Sequence, residues 1–202
     1  LAASIGSFTE DPRKFWEFAR RIGSAFIDAK PNSAHEALAE LERMGQLDCV
    51  ITQNIDGLHQ RAGSQQVIEI HGNAARIKCT ACHASYLTRE ILDDLIRQEM
   101  PACRRCGGAL KPDVVLFGET IPTEALNHAL KKIRSADLLL TVGTSLEVYP
   151  AASFPETAKK SGAKVISINA ERTDWDDSYD YRVYGNAAEI LPRIVQAVKL
   201  SV

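Results

Sequence analysis

Apolar positions recur at helical spacing through the first 46 residues. Phe15, Phe18, Ile22, Ala25 and Phe26 form one stripe, and Asp11 followed by Pro12 has the form of an N-cap and first helical position. Pro31 and Asn32 break this helix. A second is predicted from Ser33, with Ser33 and Glu36 as a capping box, Leu38, Leu41 and Met44 on one face, and Gly45 as the C′ residue. Beyond Gly45 the pattern changes to short apolar runs bounded by polar turns. Asp48 to Thr52, Asp137 to Val142 and Lys164 to Ile168 have the nearly continuous apolar character of strands covered on both faces. Helical stretches alternate with them: Thr123 to Arg134, Pro155 to Lys160 ending at Gly162, and Ala188 to Val198. This alternation predicts an α/β fold with a Rossmann-like, doubly wound parallel sheet.

Between the first two strands, Arg76 to Leu110 carries four of the five cysteines and little continuous apolar character, which predicts an inserted small module. The expected division is therefore 1–75 and 111–202 for the sheet domain and 76–110 for the module. Cys79 and Cys82 form one C-x-x-C pair and Cys103 and Cys106 another, with twenty residues between the pairs. Two such knuckles place four thiolates around one Zn²⁺ at ~2.3 Å, as in zinc ribbons. Gly107 and Gly108 would let the second knuckle turn tightly. Disulfides are the competing account; the absent secretion signal and the paired spacing favour zinc over them. A closed four-thiolate set leaves no open coordination position, so the zinc is expected to be structural and the chemistry must lie elsewhere. Cys49, in a predicted buried strand, reads as a packing residue.

Composition narrows the classes of function. The chain has 202 residues, 45% hydrophobic and 25% charged, which argues against disorder, collagen-like repeats and a disulfide-packed miniprotein. A net charge of −2 predicts no direct binding of nucleic acid and none to a membrane surface. No apolar run approaches the ~20 residues of a membrane span, and the first residues lack the regions of a signal peptide. The expectation is a cytoplasmic protein, acting as a monomer.

Polar residues cluster where the predicted strands end. Asp48 to Thr52 runs into Gln53, Asn54, Ile55 and Asp56, and ligands of open α/β sheets bind beyond the carboxyl ends of strands. Asn and Asp also serve as turn and cap residues. His71 follows an apolar stretch and precedes Gly72; an imidazole there suits general-base work, although a lone histidine is more often structural. Gly143, Thr144 and Ser145 follow the second strand, where small residues let a nucleotide approach the backbone, and Asn169 ends the third.

Six stretches occur in the order found in prokaryotic-type sirtuins, the NAD-dependent protein deacylases, and the resemblance covers the chain from Asp11 onward. They are TQNIDGLHQRAG (Thr52 to Gly63), EIHG (Glu69 to Gly72), the paired C-x-x-C knuckles, KPDVVLFGE (Lys111 to Glu119), VGTSLEVYPAA (Val142 to Ala152) and ISIN (Ile166 to Asn169). The resemblance implies an NAD-binding domain and removal of an acyl group from lysine, giving free lysine, nicotinamide and 2′-O-acyl-ADP-ribose. It implies His71 as general base toward the ribose hydroxyls and Asn54 as holder of an ordered water. Gln53 would bond the ribose, and Asp56 with the Ile55 backbone would hold the nicotinamide carboxamide. Gly143, Thr144 and Ser145 would lie near the phosphates and adenosine ribose, with Asn169 at that ribose and Ala187 near adenine. Val115 and Phe117 would form an apolar tunnel around the acyl-lysine stem. Gly118 and Glu119 on one side and Glu147, Val148 and Tyr149 on the other would receive the substrate backbone as an added strand. The implied partners are acetylated, or otherwise neutrally acylated, lysine proteins.

Two departures qualify the resemblance. The family pattern begins with a strand, a GAGxS turn and a loop carrying a Phe-Arg pair, none of which precedes Asp11. The expectation is a chain that starts part-way into that pattern, a naturally shortened homologue being the alternative. For the shortened form, a catalytically silent acyl-peptide-binding scaffold and a protein mono-ADP-ribosyltransferase are the competing functions. Second, sirtuins that prefer succinyl or malonyl lysine carry Tyr-x-x-Arg on the helix matching Arg13 to Ile27. This one contains no tyrosine, so neutral acyl groups are expected.

Overall fold

The computed structural model describes residues 2–97 and 100–201, with 22–28, 92 and 95 described as backbone only. Along the chain run α1 (Ile5–Glu10), α2 (Pro12–Asp28), α3 (Ser33–Arg43), β1 (Val50–Thr52), α4 (Leu58–Ala62), β2 (Val67–Glu69), β3 (Gly72–Cys79) and β4 (Ser85–Leu87). They are followed by α5 (Leu92–Ile96), β5 (Leu110–Val114), α6 (Thr123–Arg134), β6 (Leu138–Val142), α7 (Phe154–Lys160), β7 (Lys164–Asn169), β8 (Tyr181–Tyr184) and α8 (Ala187–Ser201). The elements divide between two compact units: Leu1–Lys30, Asn54–Gly57 and Glu69–Pro122 in one, Pro31–Gln53, Leu58–Ile68 and Thr123–Val202 in the other.

The second unit carries the Rossmann-like part. β6, β7 and β8 form a parallel sheet with Leu140 opposite Ile166 and Ile166 opposite Tyr181. Among the described residues β1 pairs with β2 in a separate two-stranded sheet, so β1 is not hydrogen-bonded into the β6–β7–β8 sheet. Leu38 and Leu41 of α3 pack with Val50, Ile168, and Leu191 and Val195 of α8. Burying each such side chain contributes about 1.5–3 kcal/mol.

The cap of α3 differs from the expected Ser33–Glu36 box. Asn32 is the N-cap: its side chain accepts from the Ala34 and His35 N–H groups, while His35 Nδ1 accepts from Asn32 N–H. Ser33 is instead drawn to α8, where its hydroxyl donates to the Ala188 carbonyl at 2.5 Å. That carbonyl is the one Pro192, inside α8 and without an N–H, leaves without its helical donor. At the other end of α3, Gly45 turns with φ +71° as the C′ position requires. Cys49 lies just outside β1 and is only half-buried, so it is less of a core residue than expected.

In the first unit β3 is the centre of an antiparallel sheet, with β4 and β5 on either side. Asp11 caps α2 by accepting from Arg13 N–H, with Pro12 in the first turn, as the sequence predicts. The buried face of α2 differs from the predicted stripe. Phe15 and Trp16 are buried, whereas Phe18 is 36% exposed; the side chains of Ile22, Ala25 and Phe26 lie outside the described residues. Phe8, Phe15 and Trp16 stack edge to face at 5.6 and 5.4 Å, and the Trp16 indole donates to the Leu110 carbonyl. This aromatic group shares one core with Ile77, Ile91, Leu110, Leu116, Cys79 and Cys103.

Candidate active site and metal centre

The two C-x-x-C knuckles close on one another. Their four sulfurs lie within 4.8 Å, with Cys79 to Cys106 and Cys82 to Cys103 both at 3.6 Å. Sulfurs ~2.3 Å from a tetrahedral Zn²⁺ are separated by about this much. The Ala81 and Cys82 N–H groups point at Cys79 Sγ, as they would at a thiolate. Gly108 leaves little room here: a methyl group at that position would stand 3.2 Å from Cys79 Sγ and 3.3 Å from Cys106 Sγ, so the knuckle would have to shift to admit it. The Tyr86 hydroxyl, 3.2 Å from Cys103 Sγ, holds that thiol down to about 6. Cys106, favoured by the Gly108 N–H but crowded by the sulfurs of Cys82 and Cys79, is pushed up to about 12. Four thiolates at this spacing therefore need a cation to exist together. The cysteines are positioned to bind a structural zinc ion, and the set leaves no position for a substrate. Tyr86 had no signal in the sequence, because its contact depends on β4 folding back on the knuckle.

In the same unit, His71 sits in the turn between β2 and β3 and is half-buried. Its carbonyl accepts the Val115 N–H at 2.9 Å, which fixes the turn against the segment after β5. Gly72 has φ +79°, and a Cβ there would fall 2.0 Å from the Asp113 carbonyl, so only glycine permits this approach. Asn54, Ile55 and Asp56 lie on a loop tied to β3 by the Ala74 N–H, which donates to the Ile55 carbonyl at 2.8 Å. Histidine and polar loop are thus brought onto one short stretch of strand.

The segment after β5 alternates between inside and outside. Val114 and Leu116 are buried, Val115 is half-buried, and the Phe117 ring is 62% exposed. Phe117 pairs with the chain start, its N–H donating to Ala3 and its carbonyl accepting from Ile5. Gly118 follows with φ +87°. Glu119 turns inward: its carboxylate accepts the Leu116 N–H and pairs with Lys111 at 2.8 Å.

The second unit gathers another group of the expected residues. The Gln53 side-chain amide donates to Thr144 Oγ1, which also accepts the Leu146 N–H; the Asn169 amide donates to the Thr144 carbonyl at 3.3 Å. Gly143 turns with φ +59° just beyond β6, and Ser145 is exposed. Leu146 holds a positive φ of 54°, and its carbonyl is held by the Trp175 indole at 3.1 Å. Trp175 is a residue that sequence reasoning missed, since nothing local links it to Leu146. Glu147, Val148 and Tyr149 follow as exposed residues, with Tyr149 69% exposed. Ala187 opens α8, whose N-cap is Asn186, and contacts neither Thr144 nor Asn169 by any hydrogen bond described.

Comparison with known proteins adds an independent line. The Sir2 family profile matches residues 2–150. The chain is 49% identical over 198 residues to the NAD-dependent protein deacylase 2 of Archaeoglobus fulgidus, covering 98% of this chain and 78% of that protein. It is 45% identical over 199 residues to the NAD-dependent protein deacylase of Pyrococcus abyssi, covering 98% and 80%. Among solved structures, Sir2Af2 bound to a myristoylated histone peptide matches with a TM-score of 0.88 at 49% identity, over 98% of this chain and 84% of that one. Sir2 bound to acetylated peptide matches with a TM-score of 0.94 at 36% identity, over 98% and 83%. Shared motif order, shared fold and close to half of all positions identical have one explanation: the chain belongs to the Sir2 family.

Proposed function

We propose that the chain is an NAD-dependent protein lysine deacylase. The observation that carries this reading is the placement of His71 three residues before Ala74, the strand residue that tethers the Asn54–Asp56 loop, in a member of the Sir2 family. NAD is a co-substrate in this reaction, and it supplies the ribose carbon to which the acyl oxygen is transferred. His71 takes the proton from the ribose hydroxyls, and Asn54 holds water beside them. Asp56 accepts from the carboxamide NH₂ of nicotinamide while the Ile55 backbone completes the contact. Gln53, Gly143, Thr144, Ser145 and Asn169 hold the ribose and phosphate part, with Ala187 toward adenine.

Val115 and Phe117 line the acyl-lysine stem, and their apolar surface favours a neutral acyl-lysine over an ammonium group, whose desolvation is costly. Gly118 and Glu119, with Glu147, Val148 and Tyr149, receive the substrate backbone; Glu119 does so through its main chain, its carboxylate being held by Lys111. Acetylated and other neutrally acylated lysine proteins are the substrates. The segment 76–110 is a zinc-stapled module inserted into an NAD-binding domain of residues 1–75 and 111–202. The net charge of −2 supports protein rather than nucleic acid as substrate, and four metal-binding thiols suit a reducing, cytoplasmic setting. No helix of the described residues is long and apolar enough to cross a membrane. We read the working form as a monomer.

Incubating the chain with NAD and an acetylated peptide tests the reading. Free lysine, nicotinamide and 2′-O-acetyl-ADP-ribose in equal amounts are expected. Binding of peptide without NAD consumption would point to a scaffold, and labelling of protein by ADP-ribose without deacylation would point to a transferase.

A further inference from the structure

β3 does not run evenly along β5. Gly72 and Asn73 face Val114 and Asp113, but the next pair is Ile77 with Pro112, so residues 74–76 form a bulge with no counterpart on β5. A bulge re-aims backbone groups that an even ladder would consume. Here the Ala74 N–H points to the Ile55 carbonyl instead of into the sheet.

The bulge is held by Asn73, which is buried. Its Oδ1 accepts the Ala75 N–H at 2.8 Å, closing a short side-chain turn, and its Nδ2 donates to Glu69 Oε1. Glu69 is steadied by Arg76 at 3.0 Å, and Arg76 by Asp113 at 3.2 Å. On its other side the Asn73 amide lies against Gly57, where an added methyl would stand 3.3 Å from Nδ2. Only a side chain with an acceptor for Ala75 and a donor for Glu69 satisfies both partners. Aspartate would set two carboxylates together, and alanine would satisfy neither.

We propose that Asn73 is a positioning residue for the nicotinamide loop. By fixing the bulge it aims the Ala74 N–H at Ile55, and so sets Asn54–Gly57 at a defined height relative to His71, which stands two residues before Asn73 in the turn that leads into β3. The inference rests on the reading that Ile55 and Asp56 hold the nicotinamide carboxamide.

The test measures two reactions of the whole chain carrying Asn73→Ala, Asn73→Asp or Asn73→Ser. These are exchange of labelled nicotinamide into NAD in the presence of acetylated peptide, and deacetylation of that peptide. Asn73→Ala is expected to raise KM for nicotinamide roughly 10-fold, the scale of one lost hydrogen bond, with peptide KM and zinc content unchanged within about twofold. Asn73→Ser, whose hydroxyl still reaches the Ala75 N–H, is expected to restore most of the loss. If Asn73→Ala does not fold, Asn73→Asp carries the test, with nicotinamide KM expected above that of Asn73→Ser, because the acceptor for Ala75 is kept while a second carboxylate is set against Glu69. Unchanged nicotinamide KM in the folded variants overturns the proposal, as does an equal rise in peptide KM, which marks a general structural role. A wild-type chain that performs neither reaction overturns the functional reading itself and the proposal with it.

Discussion

The side-chain amide of Gln53 donates to Thr144 Oγ1 at 3.3 Å, joining residues 91 positions apart in the sequence. The same hydroxyl accepts the Leu146 N–H, and the Thr144 carbonyl accepts from Asn169. Three strand ends of one unit are thus organised around a single threonine. Thr144→Val keeps the shape and removes the acceptor, leaving two donors without it. KM for NAD is expected to rise about 3–10-fold at a stability cost of ~1 kcal/mol, and Thr144→Ser is expected to retain both. Steady-state kinetics with thermal unfolding of the two variants checks this.

His71 is half-buried in a turn fixed by the Val115 N–H and by the glycine after it. His71→Ala leaves those backbone contacts in place and is expected to keep the fold. Turnover of acetyl-lysine peptide should fall ~10²–10⁴-fold, the usual contribution of a general base. Wild-type turnover in a folded His71→Ala chain would remove histidine from the reaction. Asp56→Asn is expected to act mainly on the response to NAD.

Zinc and the hydrophobic core are expected to be lost together. Cys103 is buried in the same cluster as Ile77, Ile91 and Leu110, so the metal site anchors a core as well as two knuckles. Cys103→Ala should lower bound zinc and thermal stability in parallel. A zinc-free variant with full activity and unchanged melting temperature would show the site to be dispensable.

Asp180 gives the pH dependence a defined sign. The Val165 N–H, followed by Lys164 at 2.9 Å, holds its carboxyl below the ordinary value of 3.8. A lowered folded-state value means that Asp180 contributes its stability above the unfolded value and loses it as pH falls through the folded one. Asp180→Asn is expected to flatten the loss of stability below about pH 4. Urea unfolding across pH 2–7, in roughly one-unit steps, is the measurement, and an unaltered acid limb would contradict the assignment.

The helix α2 bears on acyl choice. Of its two adjacent arginines, Arg20 is half-buried and Arg21 exposed, and no tyrosine accompanies them. On the proposed lining of the acyl-lysine stem, a succinyl carboxylate would exchange water for the apolar surface of Val115 and Phe117, which costs it hydration. Acetyl peptide should exceed the matching succinyl peptide by at least ~10-fold in kcat/KM. The reverse order would show that an arginine reaches the acyl group.

Much of this protein was legible from local pattern. Asp11–Pro12, Gly45 and the helix Thr123–Arg134 follow from neighbours within a turn or two, and the knuckles from a fixed ligand spacing. Strand ends carrying Gln53, Thr144 and Asn169 were likewise readable, because a buried apolar run that stops at polar residues marks the rim of a sheet. What remained hidden depends on partners far along the chain. The Ser33 hydroxyl, expected as a cap, goes instead to the Ala188 carbonyl that Pro192 leaves without its helical donor, a partner 155 positions away. Trp16 rather than Phe18 is buried because the Leu110 carbonyl offers the indole an acceptor. Trp175 and Tyr86 find their partners only when distant strands close, and the N–H that the bulge at Asn73 turns outward meets the Ile55 carbonyl only in the folded chain. Spacing along the chain determines elements and ligand sets, since these need only local geometry; hydrogen-bond partners across the fold are decided by packing, which alone brings remote donors and acceptors within 3 Å or so of each other.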